Sequence, residues 1–300
     1  METLGIIILI AAICNFFLGL LVFIKNPLSR INRLFGIFGF ISSVWCFTNF
    51  IMVIQPSVFW LRSAYAFGAL VPASAISWTL ELCDKKITKF KIILIFSLGL
   101  LFFLIPFIDG LIITDIKNIY PGGFIEGETG LLFPLYAVYV SGAMGFIIYT
   151  LISEYPKTEG IRKMQLSYVL VGSFLYMSIV LMVSFILPLF GNMKFSNLDS
   201  PSSLIFLAFT ALAITRYHLF EVKVILTEIL VGIIAIISLI EALIFKTFWT
   251  QTLGFSVFIL FCFIGYLLIK ATHREIKAKE ILEDKVKERT KELQTAYEDI

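Results

Sequence analysis

At 300 residues, 59% hydrophobic and 15% charged, the chain falls well short of the roughly 25% charged residues of a soluble domain and reads as an integral membrane protein. Its net charge of +3 is too small to mark a nucleic-acid partner. Cys14, Cys46, Cys83 and Cys262 are scattered through apolar runs, with no C-x-x-C and no adjacent histidine. They read as small buried hydrophobes, so no disulfide framework, zinc site or other cofactor is expected.

A helix crosses the hydrocarbon core with about 20 apolar residues. Runs that meet or approach this length fall at 3–24, 34–54, 62–83, 92–108, 131–152, 166–190, 198–215, 224–245 and 253–269. The fourth, seventh and ninth are the shortest. The first has no basic leader and no small-residue cleavage site, so it reads as a retained span. The expected fold is all-α: a polytopic transmembrane bundle of about nine spans, followed by a cytoplasmic coiled-coil helix. The organisation is a seven-helix domain at 1–223, two further spans at 224–270 and a charged helix at 271–300.

Basic residues orient the bundle, because short cytoplasmic loops retain Lys and Arg. With the N-terminus outside, the inner loops hold Lys25, Arg30, Arg33, Lys85, Lys86, Lys89, Lys91, Lys157, Arg162, Lys163, Arg216 and Lys223. The outer side holds Arg62, Lys117, Lys194 and Lys246. An odd number of spans also puts the charged C-terminal helix in the cytoplasm. The longest outer loop, 109–130, carries Pro121-Gly122-Gly123 and reads either as a hairpin-like cap over the bundle or as a plain connection.

Ionisable groups inside a membrane are expensive and mark function. Glu81, Glu154, Glu228 and Glu241 all lie close enough to span ends to reach the interface. An ion-coupled transporter is disfavoured on this count, and no repeated pair of broken helices supports one. Pro72 sits mid-span and is expected to kink its helix. The residues that could line a sensor pocket are Asn15, Trp45, Asn49, Trp60, Arg62, Tyr65 and Trp78. The plainer alternative has the asparagines bonding between helices and Trp60, Arg62 and Tyr65 forming an interfacial belt with a snorkelling arginine.

From Lys270 onward the composition inverts, with eight Lys/Arg and eight Asp/Glu in the last 31 positions. Leu282, Val286, Arg289, Leu293, Ala296 and Ile300 form a 3–4 seam interrupted by one arginine, and Glu275–Lys279 and Glu283–Lys287 are favourable i,i+4 pairs. A parallel homodimer is the natural assembly for that seam. His273 follows the last span and lacks the proline that accompanies a phospho-accepting histidine, so it reads as an interfacial residue. His218 lies in the loop after the seventh span. No phosphate loop, nucleophile elbow or paired catalytic carboxylate is present, and no catalysis is expected of the chain.

Three segments carry a family resemblance. Lys25-Asn26-Pro27 with Asn32, Phe35 and Trp45, the stretch Arg216-Tyr217-His218-Leu219-Phe220-Glu221-Val222, and the linker Leu282-Glu283-Asp284-Lys285-Val286-Lys287-Glu288-Arg289-Thr290-Lys291-Glu292-Leu293 together resemble the N-terminal seven-transmembrane sensor region of bacterial sensor histidine kinases. The resemblance implies a multi-pass inner-membrane sensor of an unidentified ligand. A response regulator would be reached only through a kinase core that this chain does not contain. Other outputs, such as diguanylate cyclases, use similar linkers. A small-molecule permease is the reading from a different class.

Overall fold

The computed structural model describes residues 3–85, 88–121, 123–190 and 195–217, together with Ile259, Phe263, Tyr266 and Lys270. The chain divides into two compact units, Met1–Val222 and Lys223–Ile300. In the second unit the four described positions are helical and exposed, with the Lys270 ammonium 5.7 Å from the centre of the Tyr266 ring. The expected spans at 224–245 and 253–269, the coiled-coil seam, Cys262, Glu228, Glu241, His218 and His273 lie outside the described residues.

The first unit is mostly helical. Its elements are α1 (Thr3–Lys25), α2 (Arg30–Ile54), α3 (Val58–Leu82), α4 (Lys89–Leu104), β1 (Ile113–Tyr120), β2 (Phe124–Thr129), α5 (Phe133–Glu154), α6 (Gly160–Leu181), the short α7 (Leu187–Leu189) and α8 (Asp199–Tyr217). Among the described residues five helices are long and apolar enough to cross a membrane: Leu4–Lys25, Arg30–Ile54, Lys89–Phe107, Phe133–Lys157 and Gly160–Ile186. The expected fourth run reaches this length because α4 continues into a 3₁₀ turn, Ile105–Phe107. The expected runs 62–83 and 198–215 are helical as α3 and α8, but their serines, threonines and charged residues keep them below that apolarity.

Those two polar helices pack inside. α3 lies against α2, α4 and α5, while α8 lies against α6, α1 and α2. α4 is the reverse case, with only Gly99 and Phe102 of its 16 residues buried. Where lipid replaces water, hydroxyls and amides gain nothing by facing out, so they turn inward and the purely apolar helix takes the rim.

α1 and α2 meet backbone to backbone. A Cβ at Gly39 would lie 2.8 Å from Gly19 Cα and 2.9 Å from the Asn15 carbonyl oxygen, so any side chain there pushes the pair apart. Asn32 Nδ2 donates to the Val22 carbonyl at 2.9 Å and ties the turn between them.

The 109–130 segment is an antiparallel hairpin, with Asn118 opposite Glu126, Ile119 opposite Ile125 and Tyr120 opposite Phe124. Gly123 closes its turn at φ +85°, a conformation open to glycine at no steric cost. Ile112, Ile113 and Ile125 are buried beneath it. The opposite end of the bundle carries ion pairs between its helix ends: Arg30–Glu81 at 3.3 Å, Lys85–Glu154 at 2.6 Å, Lys157–Glu154 at 3.6 Å, and Arg162–Asp84.

Candidate functional site

Two adjoining cavities run down the interior from the hairpin end. The upper one is walled by Trp45, Asn49 and Met52 of α2, Leu61, Tyr65 and Gly68 of α3, and Tyr136, Val140 and Met144 of α5. Tyr176, Ser184 and Phe185 close one side, and Ser196, Asn197 and Asp199 another. It offers about 70 Å³ to the centres of water-sized molecules. The lower cavity, about 30 Å³ by the same measure, is bounded by Phe38, Trp78, Ser173 and Phe206. Val71, Pro72, Met144 and Tyr176 line both and form the wall between them.

Two prolines shape the upper cavity. Pro72 has no N–H to give the Gly68 carbonyl, so a backbone acceptor on the cavity wall is released from the α3 ladder. Pro188 does the same to the Ser184 carbonyl, and α6 widens into a π-helical turn, Met182–Ile186, in which the Leu187 N–H reaches back to Met182 O. This turn presents Ser184 and Phe185 to the cavity, and Ser184 Oγ donates to Asp199 Oδ2 at 3.0 Å. The Ser200 backbone N–H donates to the other carboxylate oxygen at 2.5 Å.

Asn197 joins the cavity to the hairpin. Its Oδ1 accepts the Ile125 backbone N–H at 3.1 Å, which fixes the amide orientation. Its Nδ2, in a side chain only 2% exposed, has no partner among the described residues. Across the rim, Arg62 donates from Nε to the Ile113 carbonyl at 3.1 Å and from Nη2 to the Thr114 carbonyl at 3.0 Å, and it pairs with Asp109. The Arg62 guanidinium is held on the hairpin by these charge-assisted hydrogen bonds.

The hairpin has its own electrostatic centre at Glu126. Lys117 Nζ at 3.0 Å, Asn118 Nδ2 at 2.8 Å and Tyr120 Oη at 2.7 Å all donate to this buried carboxylate. The Asn118 and Tyr120 hydrogen bonds, with Lys117, hold its pKa down at about 2. The same contact raises the pKa of Lys117. At the other end of the bundle, hydrogen bonding to Glu154 raises that of Lys85.

Of the sequence candidates, Trp45, Asn49 and Tyr65 come together in the upper cavity, and Trp78 lines the lower one. Trp78 stacks on Phe38 at 6.0 Å and meets Phe35 edge-on at 5.1 Å, while its Nε1 has no partner among the described residues. Asn15 is elsewhere, bonding Ser203 Oγ at 3.1 Å and so linking α1 to α8. Asn49 finds its partner on its own helix, at the Trp45 carbonyl 2.9 Å away, and not across helices as expected. Trp60 packs edge-on against Phe59 at 5.2 Å and is not part of the cavity wall; nor is Arg62.

Ser184, Asn197 and Asp199 escape the sequence reading. Asp199 opens the run 198–215, where an acidic residue just ahead of Pro201 looks like an ordinary helix start. The available signal is its place inside a predicted span.

Residues 7–223 match the family described as the N-terminal 7TM region of histidine kinase. The chain belongs to that family. No curated protein and no solved structure matches it. Both cavities and the hairpin fall inside the matched 7TM region, which ends one residue past the first compact unit. The 7TM region is a membrane sensor module and not a catalytic one, and no kinase core domain is detected in the chain.

Proposed function

We propose that the chain is the input half of a two-component histidine kinase in the bacterial inner membrane. The hairpin end faces outward, the upper cavity receives the signal, and the last span with its coiled-coil seam carries it to a cytoplasmic kinase. The family match over 7–223 carries this reading. The charge distribution supports the orientation: Lys25, Arg30, Arg33, Lys85, Lys89, Lys91, Lys157, Arg162 and Lys163 sit at or between the helix ends away from the hairpin, against Arg62 and Lys117 beside it. The candidate pocket, reduced to Trp45, Asn49, Tyr65 and Trp78, is the sensing surface.

A parallel dimer through Leu282, Val286, Arg289, Leu293, Ala296 and Ile300 would transmit the signal. Leu293→Cys in a background with the four native cysteines replaced should form a disulfide between two copies in membranes under mild oxidation. Monomer alone under those conditions would remove the dimeric relay.

A permease is the second reading. It gains from Asp199, a carboxylate within the bundle, and it predicts solute uptake into proteoliposomes.

A further inference from the structure

Asp199 presents a carboxylate on the upper cavity, and among the described residues that line the cavity there is no Lys, Arg or His. Among the described residues the cation at the rim is Arg62, which is committed to the hairpin carbonyls and Asp109. The same wall supplies the rings of Trp45, Tyr65, Tyr136 and Tyr176. A carboxylate among π faces attracts a cation twice over, through charge and through the ring quadrupoles, and both effects strengthen where water is scarce. The Gly68 carbonyl, released by Pro72, adds a second acceptor for an ammonium N–H.

Asn197 narrows the chemistry further. Its Nδ2 is a buried donor without a partner, and such a group costs stability until something accepts from it. One wall therefore needs a donor or cation from the ligand, and another needs an acceptor. With about 70 Å³ available, and one water needing roughly 10–15 Å³ on this measure, there is room for an occupant of up to about five to seven heavy atoms. An alternative use of these groups, as plain packing, explains the rings but not a carboxylate on the cavity wall beside an amide nitrogen that has no partner among the described residues.

Building on the sensor reading above, we infer that the upper cavity binds a small organic ammonium ion bearing a hydrogen-bond acceptor a few bonds from its nitrogen. The nitrogen sits at Asp199 and the Gly68 carbonyl, between the aromatic rings, and the acceptor takes the Asn197 Nδ2–H. Because Asn197 also holds Ile125 through Oδ1, the ligand and the hairpin share one side chain, and occupancy is felt in the cap.

The test is calorimetric titration of the full chain in neutral-lipid nanodiscs with ethanolammonium, methylammonium and glycinamide, using ethylene glycol as an uncharged isostere. Ethanolammonium should bind saturably, with a Kd no tighter than roughly 40 μM given the ceiling on affinity per heavy atom. Ethylene glycol should bind at least about tenfold more weakly, and Asp199→Asn should weaken ethanolammonium by a similar factor. Amide exchange across 113–129 should slow on binding in the wild type. The isostere comparison needs no variant, so a misfolded Asp199→Asn protein does not rescue the idea. The inference is overturned if none of the three amines saturates, or if ethylene glycol binds as well as ethanolammonium. Absent amine binding with the Leu293→Cys crosslink intact overturns the ligand class and leaves the relay standing. Binding without the crosslink does the reverse.

Discussion

The two ends of the first unit use charge in opposite ways. At the hairpin end, Arg62 is 15% exposed and Glu126 6% exposed at the side chain, and each satisfies several partners. At the far end the Arg162–Asp84 pair is open to solvent, with the aspartate side chain 75% exposed, while Glu154, 16% exposed, is held between Lys85 and Lys157. A desolvated, multiply bonded ion fixes geometry, whereas an exposed pair is screened and loses little when broken. The hairpin end is thus built to hold one arrangement around a cavity. At Arg162 and Asp84 the far end is stapled lightly.

The comparison breaks most directly at Arg62. Arg62→Ala removes two charge-assisted bonds to strand carbonyls and the pair with Asp109, so local opening of the hairpin should become easier by about 2–3 kcal/mol. Amide hydrogen exchange across 113–129 should accelerate while that of α2 does not; unchanged exchange in the hairpin would remove Arg62 as its anchor.

Asn197→Ala should come next. It leaves the buried Ile125 N–H unpaired and should cost about 1–3 kcal/mol, read as faster exchange at Ile125 and its neighbours. If β2 keeps its protection, the joint between cap and cavity is not Asn197.

Acid tests the Glu126 centre with a definite sign. Its pKa is lowered in the folded hairpin from 4.5 to about 2, so ionised Glu126 contributes stability that is fully present above the unfolded value. That contribution declines as pH falls through this window and is gone below the folded value. Pepsin cleavage within 113–129 should rise across that range, and Glu126→Gln should flatten the rise. A variant with the same acid profile as the wild type would locate the titrating group elsewhere.

The smallest effect belongs to the far end. Arg162→Ala should change thermal stability in nanodiscs by less than about 1 kcal/mol, even though the residue also bonds the Leu82 carbonyl at 3.1 Å. A loss as large as that of Arg62→Ala would erase the contrast between the two ends.

The helical architecture was legible in the apolar runs because lipid imposes both length and composition. Pro121-Gly122-Gly123 pointed to the cap in the same local way. Polar partnerships were harder to read. Asn15 meets Ser203 across 188 positions and Arg62 meets Thr114 across 52, whereas Asn49 bonds within its own turn. Nothing adjacent in the chain separates these cases. Hydropathy misleads in a related manner: it favours α4, which is mostly exposed, over α3 and α8, whose polar residues line the interior. Asp199 belongs to this second group. Its environment is made by Ser184 and by the cavity walls of α2, α3 and α5, and a reading along one helix finds only a commonplace first turn.

The π-helical turn at Met182–Ile186 leaves α6 with one residue of slack, gathered at the cavity. Like a loop of spare rope, it can be drawn in at no loss of length elsewhere. Closing it to α geometry turns the helix on one side relative to the other by about 100°, the angle that one residue occupies. The same step adds about 1.5 Å along the axis, so a change in the face that α6 shows the cavity is coupled to a short slide, and Ser184 would turn away from Asp199 with it.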